Sequence, residues 1–293
     1  MKRKLLLILP LLLASMIGRA QNDTLANKLS IGLNLMTHGE ACGGGLPRTD
    51  DSDDFKESSS YFLLGRFRLN VDYKHKGLQT HAVIQNKSVW GTLNNQSLNL
   101  YEGWVKMTSR IGLFAQLGRV ALAYDDERII GTNDFAMAAL SHDILRLGYE
   151  GHGHKVHAIL AYNQNAEMVY KSTYYNGGAQ FYKTMQTLWY HYDVPKIPIG
   201  VSLLFMNVGL QAGIRGDTVK PAHIEYQQLF GGYINYNSKY LTIEGAYYRQ
   251  TGDIVDKYMQ AGKIDAWMAN GKDGSPWWFR RVCLQPNGKI FQT

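Results

Sequence analysis

The fourteen residues YFLLGRFRLNVDYK, positions 61–74, decide how the rest of the chain reads. The odd positions are Tyr61, Leu63, Gly65, Phe67, Leu69, Val71 and Tyr73. After Phe62 and Leu64, the even ones are Arg66, Arg68, Asn70, Asp72 and Lys74. Side chains of a strand alternate between its two faces, so this is a ribbon apolar on one side and charged on the other. Soluble strands average about five or six residues, whereas strands that cross a bilayer at a tilt need about 9–11. The stretch therefore predicts an all-β fold, an antiparallel transmembrane β-barrel. Arginine facing mid-bilayer lipid costs about 2–4 kcal/mol, which turns Arg66 and Arg68 into the lumen. Arg146, alternating with Leu145 and Leu147, belongs with them.

Outward from this stretch the pattern repeats. Strands are expected near 28–37, 61–74, 78–90, 98–107, 111–121, 141–150, 155–163, 181–192, 199–210, 223–236 and 240–250, with a twelfth from about 263. Tight turns near 76, 109, 152, 196 and 238 alternate with longer links at 38–60, 91–96, 122–140, 164–180, 211–222 and 251–262. Short turns on one side and long loops on the other suit an outer-membrane barrel with periplasmic and exterior ends. The plainer alternative is a soluble up-and-down barrel. From Asn270 onward alternation stops, so residues 27–269 read as barrel and 270–293 as an aberrant or truncated tail. About 12 strands are then present, an incomplete version of a larger cylinder.

The N-terminus carries a targeting signal. Lys2, Arg3 and Lys4 precede an apolar run from Leu5 to Gly18, and Gly18-Arg19-Ala20 offers a cleavage site before Gln21. Fourteen apolar residues fall short of the ~20 that a membrane-spanning helix requires. Residues 1–20 are thus expected to be removed, placing the protein in the outer membrane of a Gram-negative cell. Their loss leaves 27 basic against 24 acidic side chains, a charge of +3 rather than +7. So small an excess gives no argument for nucleic acid. Glycine (30 residues) and tyrosine (19) suit tight turns and interfacial aromatic belts. Cys42 and Cys283 are too few for a disulfide framework.

No motif calls for a catalytic group, a metal or a cofactor. Ser141-His142-Asp143 has the residue types of a hydrolase triad, but neighbours in a strand point to opposite faces. His152, His154 and His157 lack acidic or thiol companions in a ligand spacing. The Asp50–Asp54 cluster lacks the alternation of a calcium loop.

Gly118-Arg119, then Tyr124-Asp125-Asp126-Glu127-Arg128-Ile129-Ile130-Gly131 and Asp134, resemble the alginate-export family of outer-membrane barrels. Arg66-Phe67-Arg68-Leu69-Asn70, Gln85, Trp90-Gly91, Glu102 and Ser141-His142-Asp143 extend the similarity, and Tyr247 and Gln250 carry it to about residue 250. Val120 stands where that family usually has glutamine, and Phe135 where it has tryptophan. The resemblance implies an 18-stranded porin-like conduit for anionic poly- or oligosaccharides, with arginines lining the constriction. On that basis Arg66, Arg68, Arg119, Arg128 and Arg146 are expected to line the pore and bind anions. Asp125, Asp126 and Glu127 are expected in a loop that narrows it. Arginine rings select anions, and the guanidinium fork suits uronate carboxylates. The alternative is that the arginines pair across the lumen with Asp72, Glu102, Glu150 and Glu244 and only neutralise it.

The expected partners are an anionic saccharide, outer-membrane lipid and the barrel assembly machinery, with no nucleic acid. Nothing in the chain fixes an oligomeric state. Two other functions stay open: an outer-membrane enzyme acting on lipid, and a non-transporting or degenerate barrel.

Overall fold

Thirteen strands, each antiparallel to its sequence neighbours, form a single sheet in chain order. They are β1 (Lys28–Cys42), β2 (Ser60–His75), β3 (Leu78–Val89), β4 (Ser97–Thr108), β5 (Leu113–Val120), β6 (His142–Gly151) and β7 (His154–Tyr162). The rest are β8 (Thr184–Asp193), β9 (Ile199–Ala212), β10 (His223–Asn237), β11 (Thr242–Val255), β12 (Ala261–Ser275) and β13 (Trp278–Leu284). The computed structural model describes residues 27–42, 60–91, 97–137, 139–164, 175, 180–213, 222–255, 261–275 and 278–284. The expected signal segment 1–20 and the 50–54 acidic cluster lie outside them. Among the described residues there is no helix.

The strands are long: β2 has 16 residues, and β1, β10 and β12 have 15 each. Connections sort by length as the sequence suggests. Those after even strands are 76–77, 109–112, 152–153, 194–198, 238–241 and 276–277; those after odd strands include 121–141 and 163–183. The turn at 152–153 has φ of +53° at His152 and +81° at Gly153. Two positive φ values in a two-residue hairpin give a twist that matches the flanking strands.

The far end differs from the sequence reading. Strand pairing does not stop at Asn270: β12 runs on to Ser275 and β13 pairs with it, from Ala269↔Leu284 to Ser275↔Trp278. Backbone pairing needs no alternation of side chains, and β11 sets the register here. Lys272 lies opposite Glu244, with Nζ 3.0 Å from its carboxylate. Among the described residues β1 pairs only with β2 and β13 only with β12, so the sheet is open.

The sheet is nonetheless rolled, and the connection 121–141 shows it. Asp126 accepts a hydrogen bond from Asn270 of β12 at 2.8 Å, and Asp134 one from Arg68 of β2 at 2.6 Å. Ten strand spacings in a flat sheet would separate β2 from β12 by about 48 Å. Eight residue steps reach at most about 29 Å when fully extended. This segment is folded back on itself, with Tyr124 N donating to Ile130 O at 3.0 Å and Leu140 N to Thr132 O at 2.7 Å. The sheet therefore curls around the loop.

Polarity is inverted across the curl. Each of β1–β12 turns large apolar side chains to the outer face, such as Leu29 and Leu35 (62% and 73% exposed), Phe67, Leu117, Leu203 and Trp267. The buried inner face is mixed: it holds Arg66, Arg68, Gln85, Gln116, Gln227 and Gln250 beside apolar side chains such as Ile144, Met185, Leu204 and Met268. The described residues supply no second layer over the apolar outer face.

Candidate functional site

The inner face opposite the loop divides into two parts. Towards β2–β4 it is cationic. Arg66 and Arg68, two residues apart on β2, share one face and are 2% and 8% exposed. Gln85 of β3 lies directly opposite Arg68, and Lys87 opposite Arg66. Arg68 Nε donates to Gln85 Oε1 at 2.7 Å, and its Nη1 to Asp134 Oδ1 at 2.6 Å. Arg66 Nη1 donates to the Asp134 and Ala136 carbonyls at 2.8 and 3.1 Å, and its Nη2 to Asp134 Oδ2 at 3.4 Å. One carboxylate thus serves two guanidinium groups.

Tyr101 covers this pair, with the Arg68 guanidinium carbon 3.8 Å from its ring centre. A bulge puts it there. Val83 is opposite Glu102 but Ile84 is opposite Leu100, so Tyr101 is the extra residue of β4. A bulge re-aims a side chain, and both Tyr101 and Glu102 end up facing inward. No alternation rule finds this residue, because the bulge interrupts the alternation itself.

Towards β6–β12 the same face is largely apolar. Leu122, Tyr124, Ile129 and Ile130 of the loop pack in one cluster with Ile144, Met185, Trp189, Leu204, Met206 and Met268. Burying each such side chain stabilises docking by about 1.5–3 kcal/mol. Polar ties thread the cluster. Gln116 lies opposite Arg146, which donates from Nε to its Oε1 at 2.9 Å and from Nη1 to the Tyr124 hydroxyl at 2.9 Å. Tyr124 in turn donates to His157 Nδ1 at 2.9 Å. Burial raises the pKa of the Tyr124 phenol above its ordinary value, so the hydroxyl keeps its proton.

The three acidic loop residues hold the loop in shape. Asp125, at φ +53°, accepts from Trp189 Nε1 at 3.1 and 3.2 Å. Burial is the main cause that raises its carboxyl pKa, against hydrogen bonds from Ser202 and Trp189 that lower it. Asp126 takes the Asn270 amide and lies 3.3 Å from Arg128 Nε. Glu127, at φ +58°, accepts from Thr132 N and Oγ1, each at 3.2 Å.

The five arginines are not one ring. Arg66, Arg68 and Arg146 are on the inner face, and Arg128 is in the loop beside Asp126. Arg119 is elsewhere: Phe114, Gln116 and Val120 are the buried positions of β5, so Arg119 shares the outer face with Leu113 and Leu117. There it forms a two-pronged pair with Asp143, directly opposite on β6, at 2.8 and 2.7 Å. Its place in the family-like motif suggested the pore, whereas the parity of the strand puts it on the outer face of β5.

The acids suggested as cross-lumen partners also bind elsewhere. Asp72 meets His81, Glu150 meets Lys106 and His157, and Glu244 meets Lys272. Glu102 accepts from Ala121 N and Trp104 Nε1. Register and the loop's path, neither of them local in sequence, decide these pairings.

Cross-strand register also brings together triad residue types from the neighbouring strands β8 and β9. His191 Nδ1 is 2.8 Å from Ser202 Oγ, and His191 Nε2 is 2.9 Å from Asp193 Oδ1. Ser202 is only 1% exposed, so its hydroxyl is enclosed within the sheet and loop. His142 turns inward against Tyr182, while Asp143 turns outward. No family model and no curated protein matches the chain, which leaves the alginate-export resemblance resting on the motifs themselves.

Proposed function

We propose that this chain is a transmembrane β-barrel channel of the Gram-negative outer membrane, alginate-export-like, for passive passage of anionic poly- or oligosaccharides. The observation that carries the reading is the inversion of polarity on β2. Phe67 is exposed between two arginines that are almost wholly buried. In water such an outer face would be a large aggregation-prone patch; against lipid it is the favourable arrangement. The 16-residue β2 and its neighbours are long enough to cross a bilayer at a tilt. The sorting of short and long connections is consistent with an aqueous face on each side. An unpaired edge costs several kcal/mol per group in lipid, so the reading includes closure of the sheet. β1 and β13 run parallel, and closure by antiparallel pairing takes an odd number of further strands.

The arginines of the inner face supply the anion preference. Reversal potentials in planar bilayers test it: a salt gradient is expected to give an anion-selective potential, and cation preference, or none, would defeat the proposal. A second reading, a non-transporting barrel, is favoured by the apolar packing of Leu122, Ile129 and Ile130 across the interior. Liposome swelling separates the two, since a channel makes vesicles permeable to small sugars and a plugged barrel leaves them sealed.

A further inference from the structure

We infer that the short-turn end of the sheet binds anionic phospholipid, with the phosphate at Arg110 and an acyl chain in a groove that β4–β7 leave on the outer face. The inference rests on the membrane reading above and adds to it which lipid is held and where.

The cations of the short turns stand apart from those of the strands. The connections 76–77, 109–112, 152–153, 194–198 and 238–241 each carry one basic residue, Lys76, Arg110, His152, Lys196 and Lys239, and no acid. All five are exposed, and among the described residues none of them is in an ion pair. Strand cations do find acids, as Lys106 does with Glu150, Lys155 with Asp193 and Arg249 with Asp265. Turn geometry does not ask for a cation. Lys76, His152 and Lys196 stand at φ of +50°, +53° and +68°, where glycine or asparagine fits most readily. Three of the turns also set an exposed apolar or aromatic residue directly after the cation: Ile111, Ile197 and Tyr240. A charge reaching for phosphate beside a side chain that stays among acyl chains is the division a membrane interface imposes.

The groove lies beside Arg110. Met107, Ala115, Leu147 and Ala158 form one row across four strands, and Leu113, Tyr149 and Val156 form the next row towards the turn. The two alanines flank Leu147, so the face is hollow there, and the hollow has a volume of about 610 Å³, within the range of small-ligand sites. Its lining is apolar except at the turn, where Thr108 and Ser109 close it. Leu113 N donates to Ser109 Oγ at 3.1 Å, which holds the turn tight and puts Arg110 at its tip. The Tyr149 ring leans to the same end, against Gly112 and Gly151. An apolar trough with a polar mouth and a free cation beyond it matches a lipid tail, ester region and phosphate in that order. An acidic protein would meet the cations, but the trough runs away from the turn along the face that meets lipid.

The test reconstitutes the full chain in phosphatidylcholine vesicles with a trace of phosphatidylglycerol or phosphatidylcholine spin-labelled on its acyl chain. Electron spin resonance reads the motionally restricted fraction of each. Wild type is expected to favour phosphatidylglycerol by about tenfold. Arg110→Gln should lower this to about twofold, the loss of one cation near an anionic surface. Ala115→Phe fills the groove and should remove the preference, and Ala158→Leu should do the same where A115F does not reconstitute. Equal restriction of the two lipids by wild type, or a preference that survives all three variants, overturns the inference. The membrane reading then stands, because labelled lipid is still restricted. A dimer in sedimentation that Ala115→Phe abolishes without changing the lipid ratio gives the groove to a second copy and overturns the inference too. If neither lipid is restricted at all, the membrane reading falls with it.

Discussion

The two ends of the 121–141 loop dock by different physics. Residues 122–130 are held by apolar burial against β6–β12, whereas Asp134 is held by charge against β2. The first attachment is short-ranged and chiefly apolar, with Asp125 and Asp126 tied to Trp189 and Asn270. The second is half-exposed at the Asp134 carboxylate, and Arg66 also holds the Asp134 and Ala136 carbonyls. A loop fastened in this way has one apolar attachment and one charged attachment, and the two answer to different perturbations.

The largest expected effect breaks the apolar end. Ile130→Ala, at a buried position of the apolar cluster, should cost about 2–5 kcal/mol. Trypsin cleavage after Arg128 tracks the undocked population when opening and closing are fast. It should quicken by about tenfold or more. An unchanged rate would mean that the apolar end is no anchor.

A smaller effect concerns pH. The Asp125 carboxyl has its pKa raised, chiefly by burial, so the docked loop binds more protons than the undocked one. Docking therefore strengthens as pH falls from neutral through the raised value, and gains nothing more below the ordinary 3.8. Single-channel conductance should fall as the pH is lowered from neutral towards the ordinary 3.8 and level off below it. Asp125→Asn should lower it at neutral pH and flatten the response. Conductance that rises on acidification in wild type would contradict the assignment.

The smallest effect concerns the Arg119–Asp143 pair, which is on the other side of the sheet from the loop. Asp143→Asn should cost less than about 1 kcal/mol in a denaturant midpoint if the pair sits in the wet headgroup zone. A loss of about 3–5 kcal/mol would put it within the hydrocarbon and move the membrane boundary along β5 and β6. Loop cleavage and anion preference should not change.

Much of the fold was legible because a strand's period of two is a property of the backbone and is written locally. The alternation of β2, the strand positions up to β12 and the sorting of connections by length follow from it. β13 was not legible, because pairing with β12 requires hydrogen bonds and no pattern of its own. Arg119 was half legible: Leu113 and Leu117 assign its face, while the motif around it drew attention to the pore.

By itself the sequence determined a set of two-faced ribbons with arginine on the inner side, since steric alternation along a strand depends on nothing distant. Only the tertiary structure decided which acid meets those arginines. Asp134 reaches Arg66 and Arg68 because the sheet rolls around its own loop, and Tyr101 turns inward because a bulge shifts the register. Such contacts depend on register and loop path summed over many strands, so no window of residues contains them.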